Sequence, residues 1–273
     1  MSETLFVVVI GARGRLGRLV LDEVQLRTEV ELAGAVNRSG LVSDPEAVVV
    51  VGPDIVDVLD RCPQRPLVVI DVATPGSTAH NAQACAAAGV PYVCATTGMH
   101  DDDIIAIDIA SNSIPVLVAS NLSPGAHLVA LLAQQAALVM ADADAEVVEI
   151  HHRKKKDAPS GTALMLAEAI TAGRAASTSR MVRSRDGGDC LRQPGDIGIV
   201  AVRGGDVVGE HTVSFFADGE RVELVHKVSD RRIFASGALD AASWLVGRKP
   251  GRYGMPDVLK SRLARLQAST AAT

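Results

Sequence analysis

The run Leu5-Phe6-Val7-Val8-Val9-Ile10 stops at Gly11, and Gly11, Gly14 and Gly17 then space out as G-x-x-G-x-x-G before a stretch of helical periodicity that reaches Val24. An unbroken apolar, β-branched run of this length suits a strand buried on both faces, which is the condition of a parallel sheet covered by helices. Glycine after such a strand lets the chain turn tightly and lets backbone N–H groups approach a pyrophosphate at the positive end of the next helix. The strand, turn and helix together predict a dinucleotide site built by Gly11, Ala12, Arg13, Gly14, Arg15 and Leu16. The same residues also fit a tight βα turn in an α/β protein that binds something else.

Further strands are expected at 30–36, 47–51, 67–72, 92–95 and 116–119, with an Ala-rich helix from Thr78 to Ala88 ending at Gly89. Strands alternating with helices indicate βαβ units and a parallel sheet. The character changes after Asn121. A long apolar helix over 125–140 leads into strands at 146–152, 197–203, 210–216 and 220–228, with hairpin-type turn signals at Gly204-Gly205-Asp206 and Asp218-Gly219. A helix over 233–247 could return to the first domain. The fold class is therefore α/β: a Rossmann-like cofactor domain with a parallel sheet, plus a smaller α+β substrate domain built on an open mixed sheet. The boundaries fall at 1–122 with 234–273 for the dinucleotide-binding domain, and at 123–233 for the substrate-binding and oligomerisation domain.

Composition excludes several classes of function. A net charge of -5 provides no general basic field for nucleic acid. The apolar N-terminal run is too short to span a membrane and lacks a signal-peptide layout. Four cysteines (Cys62, Cys85, Cys94, Cys190) show no metal-ligand spacing, so no metal is expected and reduced thiols in a cytoplasmic protein are the default.

Chemistry concentrates between His151 and Thr162. Consecutive strand residues face opposite ways, so His151 and His152 diverge. Lys155 follows in a short loop, and Pro159-Ser160-Gly161-Thr162 opens a helix whose unpaired N–H groups suit a carboxylate. Arg153, Lys154, Lys155 and Lys156 add a local field for a dianion. A histidine and a lysine within reach of one ligand can move protons and stabilise charge. About 20 residues past the glycine turn, where an acid would hold the ribose hydroxyls of NAD, stand Asn37 and Arg38. An amide does not repel a 2′-phosphate, and Arg13 and Arg38 could pair with one. NADPH is expected to serve at least as well as NADH.

Glu149-x-His151-His152-x-x-Lys155-x-Asp157-Ala158-Pro159-Ser160-Gly161-Thr162-Ala163 resembles the signature of the 4-hydroxy-tetrahydrodipicolinate reductase (dihydrodipicolinate reductase) family. Ala95-Thr96-Thr97-Gly98 is similar to that family's G-T-T-G loop, Ala119-Ser120-Asn121-Leu122-Ser123 to its A-x-N-F-S loop, and Gly209-Glu210-His211-Thr212 to another family segment. The resemblance implies that His151 is the acid–base histidine and Lys155 the catalytic lysine, with His152, Gly161 and Thr162 holding substrate. It extends the cofactor site to Ala95, Thr96, Thr97, Ala119, Ser120, Asn121 and Leu122. It implies NAD(P)H-dependent reduction of a small cyclic imine dicarboxylate in lysine biosynthesis, by a homotetramer joined through the substrate domains. Joints near Asn121 and Ile233 would let the domains close. The chain departs from the usual pattern at Ala95 for Gly, Leu122 for Phe, Thr74 before Pro75 for a basic residue, and Asn37 for an acid. None of these touches the catalytic signature. Two alternatives remain at this level: a reductase of the same fold acting on another imine or keto dicarboxylate, and a non-catalytic NADP-sensing protein.

Overall fold

The computed structural model describes residues 3–37, 50–174 and 179–271, which form two compact units, 1–122 with 231–273 and 123–230. In the first, β1 (Leu5–Ile10), α1 (Arg15–Leu26), β2 (Val30–Val36), β3 (Val50–Gly52), α2 (Ile55–Asp60), β4 (Leu67–Asp71), α3 (Thr78–Ala88), β5 (Tyr92–Cys94), α4 (Asp101–Ser111) and β6 (Pro115–Val118) alternate. In the second come α5 (Pro124–Val139), β7 (Asp144–His151), α6 (Gly161–Arg174), β8 (Arg180–Val182), β9 (Asp196–Arg203), β10 (Gly209–Ala217) and β11 (Glu220–Val228). The chain then rejoins the first unit as α7 (Arg232–Leu245), β12 (Gly251–Tyr253) and α8 (Met255–Ala271). Among the described residues no helix is long and apolar enough to cross a membrane.

The first unit is a seven-stranded parallel sheet in the order β12-β6-β5-β4-β1-β2-β3. Its strands read as continuous apolar runs because both faces are covered. Val7 and Val9 pack with residues of α1, α7 and α8, among them Val20, Leu239 and Met255. Val8 and Ile10 pack on the other side with Ile55, Ala82 and Ile107 from α2, α3 and α4. The helix expected at Thr78–Ala88 stops where Gly89 adopts φ 64°, the left-handed C-cap that glycine takes without strain.

The second unit is a five-stranded mixed sheet ordered β11-β10-β7-β9-β8. Burial alternates along β7, so Ala145, Val147, Glu149 and His151 turn to the face covered by α5 and α6. Helices α5 and α6 approach closely at Gly173, where an added Cβ would lie 2.2 Å from the Gln134 carbonyl oxygen. The other face carries exposed Val200, Val202, Phe216 and Val225.

The structure departs from two of the sequence expectations. Gly204-Gly205-Asp206 does not close a hairpin, because β9 runs parallel to β7 and β10 pairs antiparallel with the far side of β7. The turn instead crosses the end of β7, with Gly204 N–H donating to the His151 carbonyl (3.0 Å) and His152 N–H to that of Val207 (2.7 Å). That crossing also ends β7 at His151, one residue earlier than expected, leaving His152 to begin the loop. The turn at Asp218-Gly219 does join paired strands, β10 and β11.

Candidate active site

In the first unit, the turns after β1, β4, β5 and β6 all lie at the carboxyl edge of the parallel sheet, where open α/β sheets bind ligands. Gly11 adopts φ 80°, and a Cβ there would press on the Ala73 backbone at 3.0 Å. Gly17 is tighter still, since its Cβ would lie 2.1 Å from the Gly11 carbonyl oxygen. Gly14 caps α1 with no side-chain hydrogen bond, and the first turn of α1 carries no acid. Arg13, Gly14 and Arg15 are exposed there, while Ala12 is buried. A bare, positively polarised helix start backed by glycine is a cradle for a diphosphate, so these residues fit a dinucleotide.

The neighbouring loops are pinned by the backbone. Ala95 N–H donates to Asp71, Ala119 N–H to Cys94, and Thr96 Oγ1 to the Ala73 carbonyl. Leu122 is buried against Gly237, and Ser120 and Asn121 precede it in the same loop. Thr97 is exposed. Buried Asp71 anchors this edge from below by accepting bonds from Tyr92, Asn81 and the Ala73 N–H. Asn37 closes β2 with its N–H on the Gly52 carbonyl. Arg38 lies outside the described residues.

The second unit brings the other candidates together. His151 ends β7, buried, with Nδ1 2.5 Å from Glu149 Oε2. Arg203, at the end of β9, grips both oxygens of Glu149 at 2.7 and 2.8 Å and donates to the Asp157 carbonyl. The Asp157 carboxylate in turn accepts both of its bonds from Lys155 Nζ, at 2.9 and 2.8 Å. Ser160 N–H donates to Glu149 Oε1, and Ser160 Oγ caps α6 by accepting from Ala163 N–H. The first turn of α6 presents Gly161, with open space where a Cβ would be, and then Thr162. His152 Nδ1 is buried without a hydrogen-bond partner among the described residues. Such an atom suits a ligand's carboxylate.

Electrostatics follow from this packing. Burial raises the Glu149 carboxyl, but Arg203, His151 and the Ser160 N–H outweigh it and leave the group below the usual carboxylate range. Burial lowers His151, Glu149 offsets part of that, and Lys155 and Arg203 lower it further. His211, edge-on to His151 at 5.2 Å between ring centroids, is pushed down to about 3 by burial and by its histidine neighbours. Both rings are therefore neutral at pH 7.

Sequence reasoning gave no role to Glu149, Arg203 or His211. Glu149 had a visible signal, since a residue two before His151 on one strand shares its face. Arg203 had none. It meets Glu149 across 54 residues, through a β7–β9 pairing that no local pattern announces.

A dinucleotide cradle on a parallel sheet, and a second unit holding a buried histidine and a lysine beside an open helix start, define an oxidoreductase of the nicotinamide-dependent kind. Family models for the N- and C-terminal parts of dihydrodipicolinate reductase match residues 5–122 and 125–259. The chain belongs to the dihydrodipicolinate reductase family. It is 42% identical to the 4-hydroxy-tetrahydrodipicolinate reductase of Roseobacter denitrificans, over 95% of this chain and 98% of that one. It is 44% identical to that of Anaeromyxobacter dehalogenans, over 94% and 98%. The dipicolinate-bound dihydrodipicolinate reductase of Paenisporosarcina sp. TG-14 superposes with a TM-score of 0.77 at 26% identity, covering 93% of this chain and 99% of that one.

Proposed function

We propose that this reductase converts 4-hydroxy-tetrahydrodipicolinate to tetrahydrodipicolinate, with loss of water, in the diaminopimelate route to lysine. The observation that carries this reading is the joined network of His151, Glu149, Arg203, Asp157 and Lys155 beside the start of α6. In the first unit, residues 11–16, Asn37, 95–97 and 119–122 hold NADPH or NADH. When bound, the reduced nicotinamide would supply a hydride to C4 of the unsaturated cyclic imine that forms once the 4-hydroxyl has left as water. His152 and the Gly161 and Thr162 N–H groups hold a substrate carboxylate. The Nδ1 proton of His151 is committed to Glu149, so its Nε2 lone pair takes up a proton and passes it to the ring carbon left electron-rich by the reduction. Lys155 exchanges Asp157 for the substrate and supplies positive charge beside the ring nitrogen, so that one hydride and the one proton delivered by His151 account for the reduction.

The exposed valine and phenylalanine face of the mixed sheet supports a homotetramer joined through this unit. All four cysteines are free, three of them buried, which supports a reduced, cytoplasmic setting. The test is NADPH oxidation with the hydroxylated cyclic imine, comparing wild type with His151→Ala and Lys155→Ala. Each variant should lose about 100-fold or more in kcat while NADPH affinity stays unchanged. Wild-type turnover in Lys155→Ala rejects the assignment.

A further inference from the structure

Glu149 is fully buried on the covered face of the mixed sheet, yet its two oxygens accept four hydrogen bonds. Oε2 takes the His151 ring at 2.5 Å and one Arg203 nitrogen at 2.7 Å. Oε1 takes the other Arg203 nitrogen at 2.8 Å and the Ser160 N–H at 3.0 Å. A carboxylate filled in this way, and matched by a two-pronged guanidinium, is ionised and has only acceptors to offer. The His151 nitrogen facing it must therefore carry the ring proton, which leaves Nε2 bare. That nitrogen points to Gly209, where a Cβ would come within 3.0 Å of it, so glycine keeps the space beside Nε2 open.

We propose that Glu149, clamped by Arg203 and the Ser160 N–H, is the positioning residue that holds His151 as its Nδ1–H tautomer and sets its direction relative to the start of α6. The inference rests on the reading of His151 as the proton-handling group. One oxygen of Glu149 orients that imidazole, and the other holds the residue that caps the helix whose first turn grips the substrate carboxylate. Proton transfer and carboxylate binding are thereby built to one register. A Gln of the same volume would keep the packing but lose the charge, and its amide can present either an oxygen or an NH₂ to Nδ1.

The charged and titratable groups facing His151 are Glu149 from its own strand, Arg203 from β9, Lys155 from the following loop and neutral His211 from β10. Among them Glu149 alone raises the proton affinity of His151, so its neutralisation moves the His151 limb of the pH–rate profile to lower pH. The first measurement needs no variant: ¹⁵N NMR of the histidine side chains in the wild-type chain at neutral pH, with His151 assigned by its loss in His151→Asn. Nε2 should be the unprotonated nitrogen. Glu149→Gln should then give a mixed tautomer, a kcat lower by about 100-fold or more, a limb displaced to lower pH, and unchanged NADPH affinity. A wild-type His151 protonated on Nε2, or a folded Glu149→Gln with wild-type kcat and pH profile, overturns the proposal. If the wild-type chain fails to reduce the cyclic imine, the reaction assignment falls, while the tautomer measurement still decides the role of Glu149.

Discussion

At the scale of single residues, the chemistry depends on which groups are charged and which are kept neutral. Burial holds His151 and His211 neutral, whereas Glu149, equally buried, stays ionised because four donors replace the water it lost. A second residue-scale question is Asn37, which follows the end of β2 where an acid would repel a 2′-phosphate. With an amide there and Arg13 exposed beside the glycine turn, kcat/KM with NADPH should equal or exceed that with NADH. A strong NADH preference in steady-state kinetics contradicts this.

At the scale of elements, close backbone approach replaces side-chain packing where the site is built. The first turn of α1 touches the turn that precedes it so closely that Gly17→Ala sets a methyl group against the Gly11 carbonyl and the Ala12 Cα at 2.8 Å. Backbone atoms cannot swing away as a side chain can, so the helix start must shift. The expected cost is about 1–3 kcal/mol of stability and about a tenfold or greater weakening of NADPH binding. Thermal melts and a fluorescence titration read the two effects, and a variant with wild-type Tm and Kd refutes this account of the turn.

At the scale of the molecule, the two sheets treat their faces differently. Helices cover both sides of the parallel sheet, whereas the mixed sheet leaves Val200, Val202, Phe216 and Val225 in the open on one side. Such a patch is costly for a lone chain in water and useful between copies. The wild-type chain should sediment as a tetramer, and the double variant Val200→Glu with Val225→Glu should fall to smaller species, because like charges would be buried together at the contact. A monomeric wild-type chain in analytical ultracentrifugation contradicts the assignment.

Much of this protein was legible in local pattern. The unbroken run before Gly11 showed a strand covered on both sides, the glycine spacing showed a backbone cradle, and the stretch from Glu149 to Ala163 carried the family's signature. Short-range periodicity and backbone freedom act within a few residues, so they are written where they act. Other features were decided by pairing at a distance. Helix α4 was not evident because its apolar residues show little one-sided periodicity, and β12 is three residues that become a strand only beside β6. The glycines at 204 and 205 looked like a hairpin, yet β7 lies between the strands they join. That same placement of β7 sets Arg203 against Glu149 and aims His151, which no local rule contains, because strand order is settled by which faces the helices must cover.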